Sequence, residues 1–183
     1  MALETVYACS AGSAPVPIVF CSRYGDMLRV VQILEVLARG EAVSPTAFSL
    51  SVHNAIGGLF TIATGDTRPV IALAAGADTA ICGVVEACGL LAAGWPEVLL
   101  TVYDELLPPV YTPFREAGEV PYAWTWRMTP PEGECLSLRR AAPDGGQEAR
   151  GPAGLEVLRF FLSGERERVM AHGARAWHWA RHA

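Results

Sequence analysis

The chain has 183 residues, 51% of them hydrophobic, and a formal net charge of −5 at pH 7. That length suits one domain spanning 1–183 with a sizeable core. All 14 basic residues are arginine, and no basic stripe interleaved with aromatics appears, which argues against nucleic acid as a partner. The opening residues lack the charged and apolar regions of a secretory signal, so a cytoplasmic location is the default expectation.

In chain order, Ala2–Cys9 reads as the tail of a helix whose shortness predicts a truncated N-terminus, and Ser10–Pro15 as a small-residue loop. Val16–Cys21 is a short buried strand, followed by a turn at Ser22–Gly25. Apolar residues from Met27 to Leu37 recur at helical spacing, so Asp26–Ala38 is an amphipathic helix with Asp26 as N-cap and Gly40 as stop. Ser44–Asn54 reads as mixed extended and turn structure, and Ala55–Thr64 as a helix ended by Gly65–Asp66. Arg68–Ala74 is an apolar strand, Asp78–Ala93 an apolar helix stopped by Gly94, and Glu97–Tyr103 a further buried strand ending at Asp104.

Pro108–Glu119 is loop-rich, Val120–Met128 alternates as a strand, and Glu134–Arg139 is expected as its hairpin partner across TPPEG. Ala141–Pro152 is a polar, Gly-rich excursion expected to be mobile, Gly154–Leu162 a helix, and Ser163–Ala183 a packed or frayed aromatic tail. Strands alternating with helices predict an α/β layered sandwich. The Val70–Leu91 region comes nearest to a membrane span, but Asp78, Thr79 and Glu86 interrupt it, so no span is expected. The apolar excess instead predicts a partner subunit.

The chemistry begins at VIALAAGADTAICGVVEACGLLAAG, Val70–Gly94: an apolar strand, a small-residue corner and an apolar helix. A nucleophile at such a corner would gain from helix-terminal N–H groups and the helix dipole. Here the corner reads Gly76, Ala77, Asp78. Ala77 can do neither acid–base nor nucleophilic work, Asp78 suits a helix cap better than an activated carboxylate, and Thr79 has no base beside it. Ser49, Ser51 and His53 alternate, which in an extended segment would put them on one face and allow a Ser–His pair. A structural role for His53 and Asn54, bonded to backbone near a helix start, is favoured over that pair. Phe48, Leu50 and Val52 would then face the other way, suited to a packed interface or an acyl-chain wall.

Asp104 and Glu105 follow a strand end, and a solvated surface is the favoured reading over a catalytic dyad. The five cysteines, Cys9, Cys21, Cys82, Cys88 and Cys135, lack metal-type spacing and are expected as buried structural thiols. No metal and no cofactor are expected, and no catalytic set is evident.

Three stretches together resemble the ketoacyl synthase branch of the thiolase-like superfamily. SPTAFSLSVHNAIGGLFTIATG (Ser44–Gly65) is similar to the synthase segment that begins Ser-Pro and carries an Asn before a small-residue helix. Val70–Gly94 resembles the strand, elbow and helix that carry the synthase cysteine, and Glu97–Glu105 the strand after it. FCSRYGDM, ALAAGADTA and the closing WHWAR extend the likeness to short β-ketoacyl synthase-like N-terminal-domain proteins of aryl-polyene and related fatty-acid-type biosynthesis.

The resemblance implies a thiolase-like layered sandwich, N-terminal half only, its mixed sheet flanked by helices. Counting back from Gly94 places the family's cysteine at Ala77. The implied role is a non-catalytic, chain-length-factor-like subunit of an acyltransferase family. It would form a heterodimer with an active β-ketoacyl synthase and, through it, meet acyl carrier protein. Phe48, Leu50, Val52, Val70, Ile71 and Leu73 would line the acyl tunnel and the interface. Two other readings stay open: a stand-alone acyl-transfer or hydrolytic enzyme using Ser49 or Ser51 with His53, or Asp78, and a homodimeric acyl-binding scaffold.

Overall fold

Strand β1 (Ile18–Cys21) is buried at all four positions, so its sequence runs apolar without alternation. In this computed structural model, which describes residues 1–12, 14–116, 118–142, 147–148 and 151–183, β1 lies between two parallel neighbours. These are β2 (Val70–Leu73) at the sheet edge and β3 (Val98–Asp104), with β4 (Tyr122–Met128) antiparallel beyond β3. Phe20 pairs with Ala72 on one side and Thr101 on the other. The mixed sheet flanked by helices is as expected.

Helices α1 (Ala2–Ser10) and α4 (Ala55–Thr64) cover one face of this sheet, where Val6 and Phe60 meet Ile18, Phe20 and Leu99. On the other face, Ile81, Val84 and Ala87 of α5 (Thr79–Ala92) pack on Val19, Cys21 and Leu100. Gly83 permits this approach: a Cβ there would lie 2.4 Å from Cys21 Sγ and 2.9 Å from a Leu100 methyl. Between β1 and β2 run α2 (Met27–Ala38), capped by Asp26 accepting from Arg29 N at 3.0 Å, and α3 (Pro45–Ser49), capped by Ser44.

The chain departs from expectation in three places. In Ser44–Asn54 the expected turns are present but the extended part is replaced by a short helix, α3; Ser44 as N-cap and Pro45 at the first helical position drive it. Glu134–Arg139 is not the hairpin partner of β4. Pro130 and Pro131 lack the N–H groups a tight hairpin needs, and β5 (Cys135–Ala141) joins a second sheet, in which β8 (Arg175–His182) lies beside it, then β7 (Glu167–His172), then β6 (Gln147–Glu148). The C-terminal tail is packed, one of the two states expected of it, but as an unforeseen antiparallel hairpin of β7 and β8 about Gly173, whose φ is +60°.

Of the excursion expected over 141–152, residues 143–146 and 149–150 lie outside the described residues, and 147–148 form the short strand β6 parallel to β7. Helix α6 (Ala153–Ser163) sends Val157 and Phe160 into the same core as Trp179 of β8. No helix among the described residues is long and apolar enough to cross a membrane.

Candidate functional site

The carboxyl ends of β1, β2 and β3 converge on one side of the sheet, where open α/β folds place their sites. After β2 the chain turns through a 3-10 segment, Gly76–Asp78, into α5. Gly76 takes φ +60°, a conformation that side chains rarely adopt. Thr79 closes the bend: its Oγ1 accepts from Ala75 N at 2.9 Å and donates to Gly76 O at 2.7 Å. The expected strand, corner and helix are all present, and Ala77 stands at the corner, half-buried, facing an open cleft of about 420 Å³.

Asp78 does not cap α5. Its side chain makes no cap hydrogen bond and is 1% exposed. It is instead gripped by the C-terminal hairpin: His172 Nδ1 pairs with Oδ1 at 2.8 Å, Trp177 Nε1 donates to Oδ1 at 3.2 Å, and Arg175 Nε makes an ion pair with Oδ2 at 2.7 Å. Thr79 ties the bend itself together through its two hydroxyl bonds, while the Asp78 side chain turns inward. The sequence did not connect these three hairpin residues with Asp78. The Gly173–Ala174 turn between alternating residues was a readable hairpin signal; a partner 94 residues away was not.

Across the cleft, Asp104 is a half-buried, hydrogen-bonded hub, not the solvated surface expected of it. Its Oδ1 accepts from Ser22 Oγ at 2.9 Å and Arg23 N at 2.8 Å, and its Oδ2 from Tyr122 Oη at 2.9 Å. Burial raises the carboxyl's pKa, and these hydrogen bonds pull the other way. Tyr122's phenol is pushed up by burial and by the facing Asp104. Arg23 reaches over the cleft rim to an ion pair with Glu116. Glu105 stays exposed. With its acceptor oxygens engaged, Asp104 fastens the ends of β1, β3 and β4 together.

The serine–histidine reading does not survive. Ser49 Oγ donates to Pro45 O and Ser51 Oγ to Phe48 O, while His53 Nε2 donates to Ser22 O at 2.8 Å. Helical geometry takes the three side chains off a common face and spends their polar groups on backbone, as favoured for His53. Asn54 sits at the start of α4 without a side-chain cap bond. Phe48 and Val52 are exposed and Leu50 half-buried, so the alternation expected of an extended strand is absent. Val70, Ile71 and Leu73 are half-buried: Val70 packs toward Phe20 and α4, Ile71 and Leu73 toward α5. Beyond them β2 ends the sheet, paired among the described residues with β1 alone.

Nor are all five thiols buried: only Cys21 is, and Cys88 is exposed because the buried positions of α5 place residue 88 outward. Burial pushes the Cys21 thiol up to about 12. Cys82, one turn past the corner, is also pushed up, by burial and by Asp78, so it is held as a thiol and not as a reactive thiolate. Among the described residues no group of three or more His, Cys, Asp or Glu could hold a metal ion. A second cavity, about 660 Å³ with its open mouth, lies at the opposite end of the sheet beside Val16, Phe60 and Leu99.

A family profile described as "Beta-ketoacyl synthase, N-terminal domain" matches residues 1–180. The solved complex of the ketosynthase ApeO with its chain length factor ApeC, from Xenorhabdus doucetiae, is similar over 98% of this chain and 75% of the matched chain, at 27% identity and a TM-score of 0.86. The ishigamide ketosynthase/chain length factor is similar over 73% of this chain and 43% of the matched chain, at 13% identity and a TM-score of 0.61, a likeness of fold alone. No curated protein matches significantly.

Proposed function

This chain belongs to the β-ketoacyl synthase N-terminal-domain family, and from that membership we propose that it is the non-catalytic partner of an active ketosynthase. The observation that carries this reading is the corner itself. Strand, left-handed glycine, threonine-closed bend and helix are all built, and the residue at their apex is the methyl side chain of Ala77. Condensation begins by moving an acyl group onto a nucleophile. Ala77 has none to offer, and the nearest thiol on α5, that of Cys82, is disfavoured as a thiolate. The likeness to a solved ketosynthase–chain length factor complex supports the pairing.

In this reading the partner supplies the chemistry, in the cytoplasm, and brings acyl carrier protein to the pair. The open edge of β2 pairs with the ketosynthase, which also protects that edge from adventitious strand addition. Phe48, Leu50 and Val52 bound the space for the growing acyl chain, and Val70, Ile71 and Leu73, packed inward, hold the edge strand beside it. Each methylene buried there contributes about 0.8 kcal/mol, so side-chain bulk sets where extension stops. The product belongs to the aryl-polyene, polyketide or fatty-acid type.

The test is reconstitution with a ketosynthase co-expressed from the same genome, using malonyl- and acyl-carrier proteins. Elongated product is expected only when both subunits are present, and Phe48→Ala is expected to lengthen it. Turnover by this chain alone would overturn the reading.

A further inference from the structure

Helix α2 is the wrong helix to leave in water. Its residues MLRVVQILEVLA carry polar side chains only at Arg29, Gln32 and Glu35, a spacing of three that gathers them on one narrow stripe. The rest of the circumference is apolar. A helix hydrophobic on most sides is ordinarily buried, yet none of the twelve residues of α2 is buried, and Leu28, Leu34 and Leu37 are each half or more exposed. Asp26 caps the helix well, so it is formed; what it lacks is a cover.

Apolar side chains are exposed on the next two helices as well. α2 packs against α3, which exposes Phe48 at 61%, and beyond the following turns α4 exposes Ile62 at 82% while packing its inner face on β2. The size of the interface gives the reason to join these pieces. A stable pairing needs about 800 Å² and some 20–30 residues from each partner. The open strand β2 offers four residues, and their side chains already pack inward on the two helical layers. A partner that engaged only this edge would fall well short.

Resting on the ketosynthase-partner reading above, we propose that the ketosynthase subunit also covers α2, with Leu34 and Leu37 as principal contacts, so that the interface runs from β2 over α3 to α2. An apolar surface of this extent on a folded chain marks a docking face. The second cavity offers no comparable case for a ligand, since the rim charges of Asp66 and Arg68 are spent on each other.

The test compares the wild-type chain, Leu34→Asp/Leu37→Asp, and Val85→Asp, which alters an equally exposed apolar residue on α5. Each is titrated against the co-expressed ketosynthase, and hydrogen exchange of α2 is followed in the wild-type complex. The double variant should bind at least tenfold more weakly while its own thermal midpoint stays put. Val85→Asp should bind as wild type, and α2 amides should exchange more slowly in the complex. If wild type binds but the double variant binds equally well, or α2 exchange is unchanged by the partner, the α2 proposal is overturned and the pairing reading stands. If wild type does not bind the ketosynthase, both are overturned. A wild-type homodimer dissolved by the double substitution would assign the face to a second copy and overturn the proposal.

Discussion

Helices α5 and α2 invite comparison because each is an apolar helix within a crossover between strands, and their surroundings are opposite. α5 buries Thr79, Ala80, Ile81, Gly83, Val84 and Ala87; α2 buries nothing. α5 is sandwiched between the sheet and a layer made by α6 and the C-terminal hairpin, whereas α2 touches little beyond α3. Apolar periodicity in the sequence therefore reports that a surface needs covering. It does not say whether the cover comes from the same chain or another. The half of the molecule around α5 is complete in itself, and the half around α2 is built for company.

The sharpest way to break that contrast is volume in α5. Gly83→Leu would drive a side chain into Cys21 and Leu100, and overpacking of this kind is expected to cost about 3 kcal/mol, read as a lower urea midpoint. An unshifted midpoint would mean the packing around α5 is looser than described. Next comes Asp78→Ala, which strips His172 and Trp177 of a buried partner and releases Arg175; a loss of about 2 kcal/mol is expected from the unsatisfied groups. Asp78→Asn should recover part of it by keeping an acceptor for Trp177.

A chemical probe separates buried from exposed positions on the same side of the sheet. Cys88, exposed but with its thiol also pushed up by partial desolvation, should alkylate slowly with iodoacetamide at pH 8, and Cys21 should resist until the chain unfolds. The Cys21 thiol has an ordinary value of 9.0 and a folded value of about 12. The unfolded chain thus releases this proton first. The thiol's contribution to stability is complete below pH 9 and is lost as pH climbs toward 12. Comparing unfolding midpoints at pH 8 and 10.5, wild type should lose more than Cys21→Ala. Smallest of all is the effect of Leu34→Asp in α2 on the isolated chain, expected within about 0.5 kcal/mol of wild type because the site is exposed.

Legibility from sequence follows the same division. Residues 18–21, 70–73 and 98–104 are short apolar runs punctuated by Pro, Gly and Asp, so the parallel strands and the helices α2, α4 and α5 between them were readable. The corner at Gly76–Ala77 was readable too, because small residues between strand and helix leave few alternatives. What escaped depended on contacts between distant residues. Asp78 looked like a cap because a cap is local, while its true partners belong to a hairpin at the other end of the chain. Asp104 looked like a surface carboxylate because Ser22 and Tyr122, which hydrogen-bond it, lie 82 and 18 residues away. The alternation of Ser49, Ser51 and His53 suggested a strand, and the local Ser-Pro start of α3 outweighed it.

The central claim, that a reactive-site corner is kept here without its nucleophile, is tested most directly by intact-mass spectrometry of the two subunits after incubation with malonyl- and acyl-carrier proteins. The account predicts an acyl adduct on the ketosynthase and none on this chain, alone or in the pair. A covalent acyl group found on any side chain of this polypeptide would contradict it.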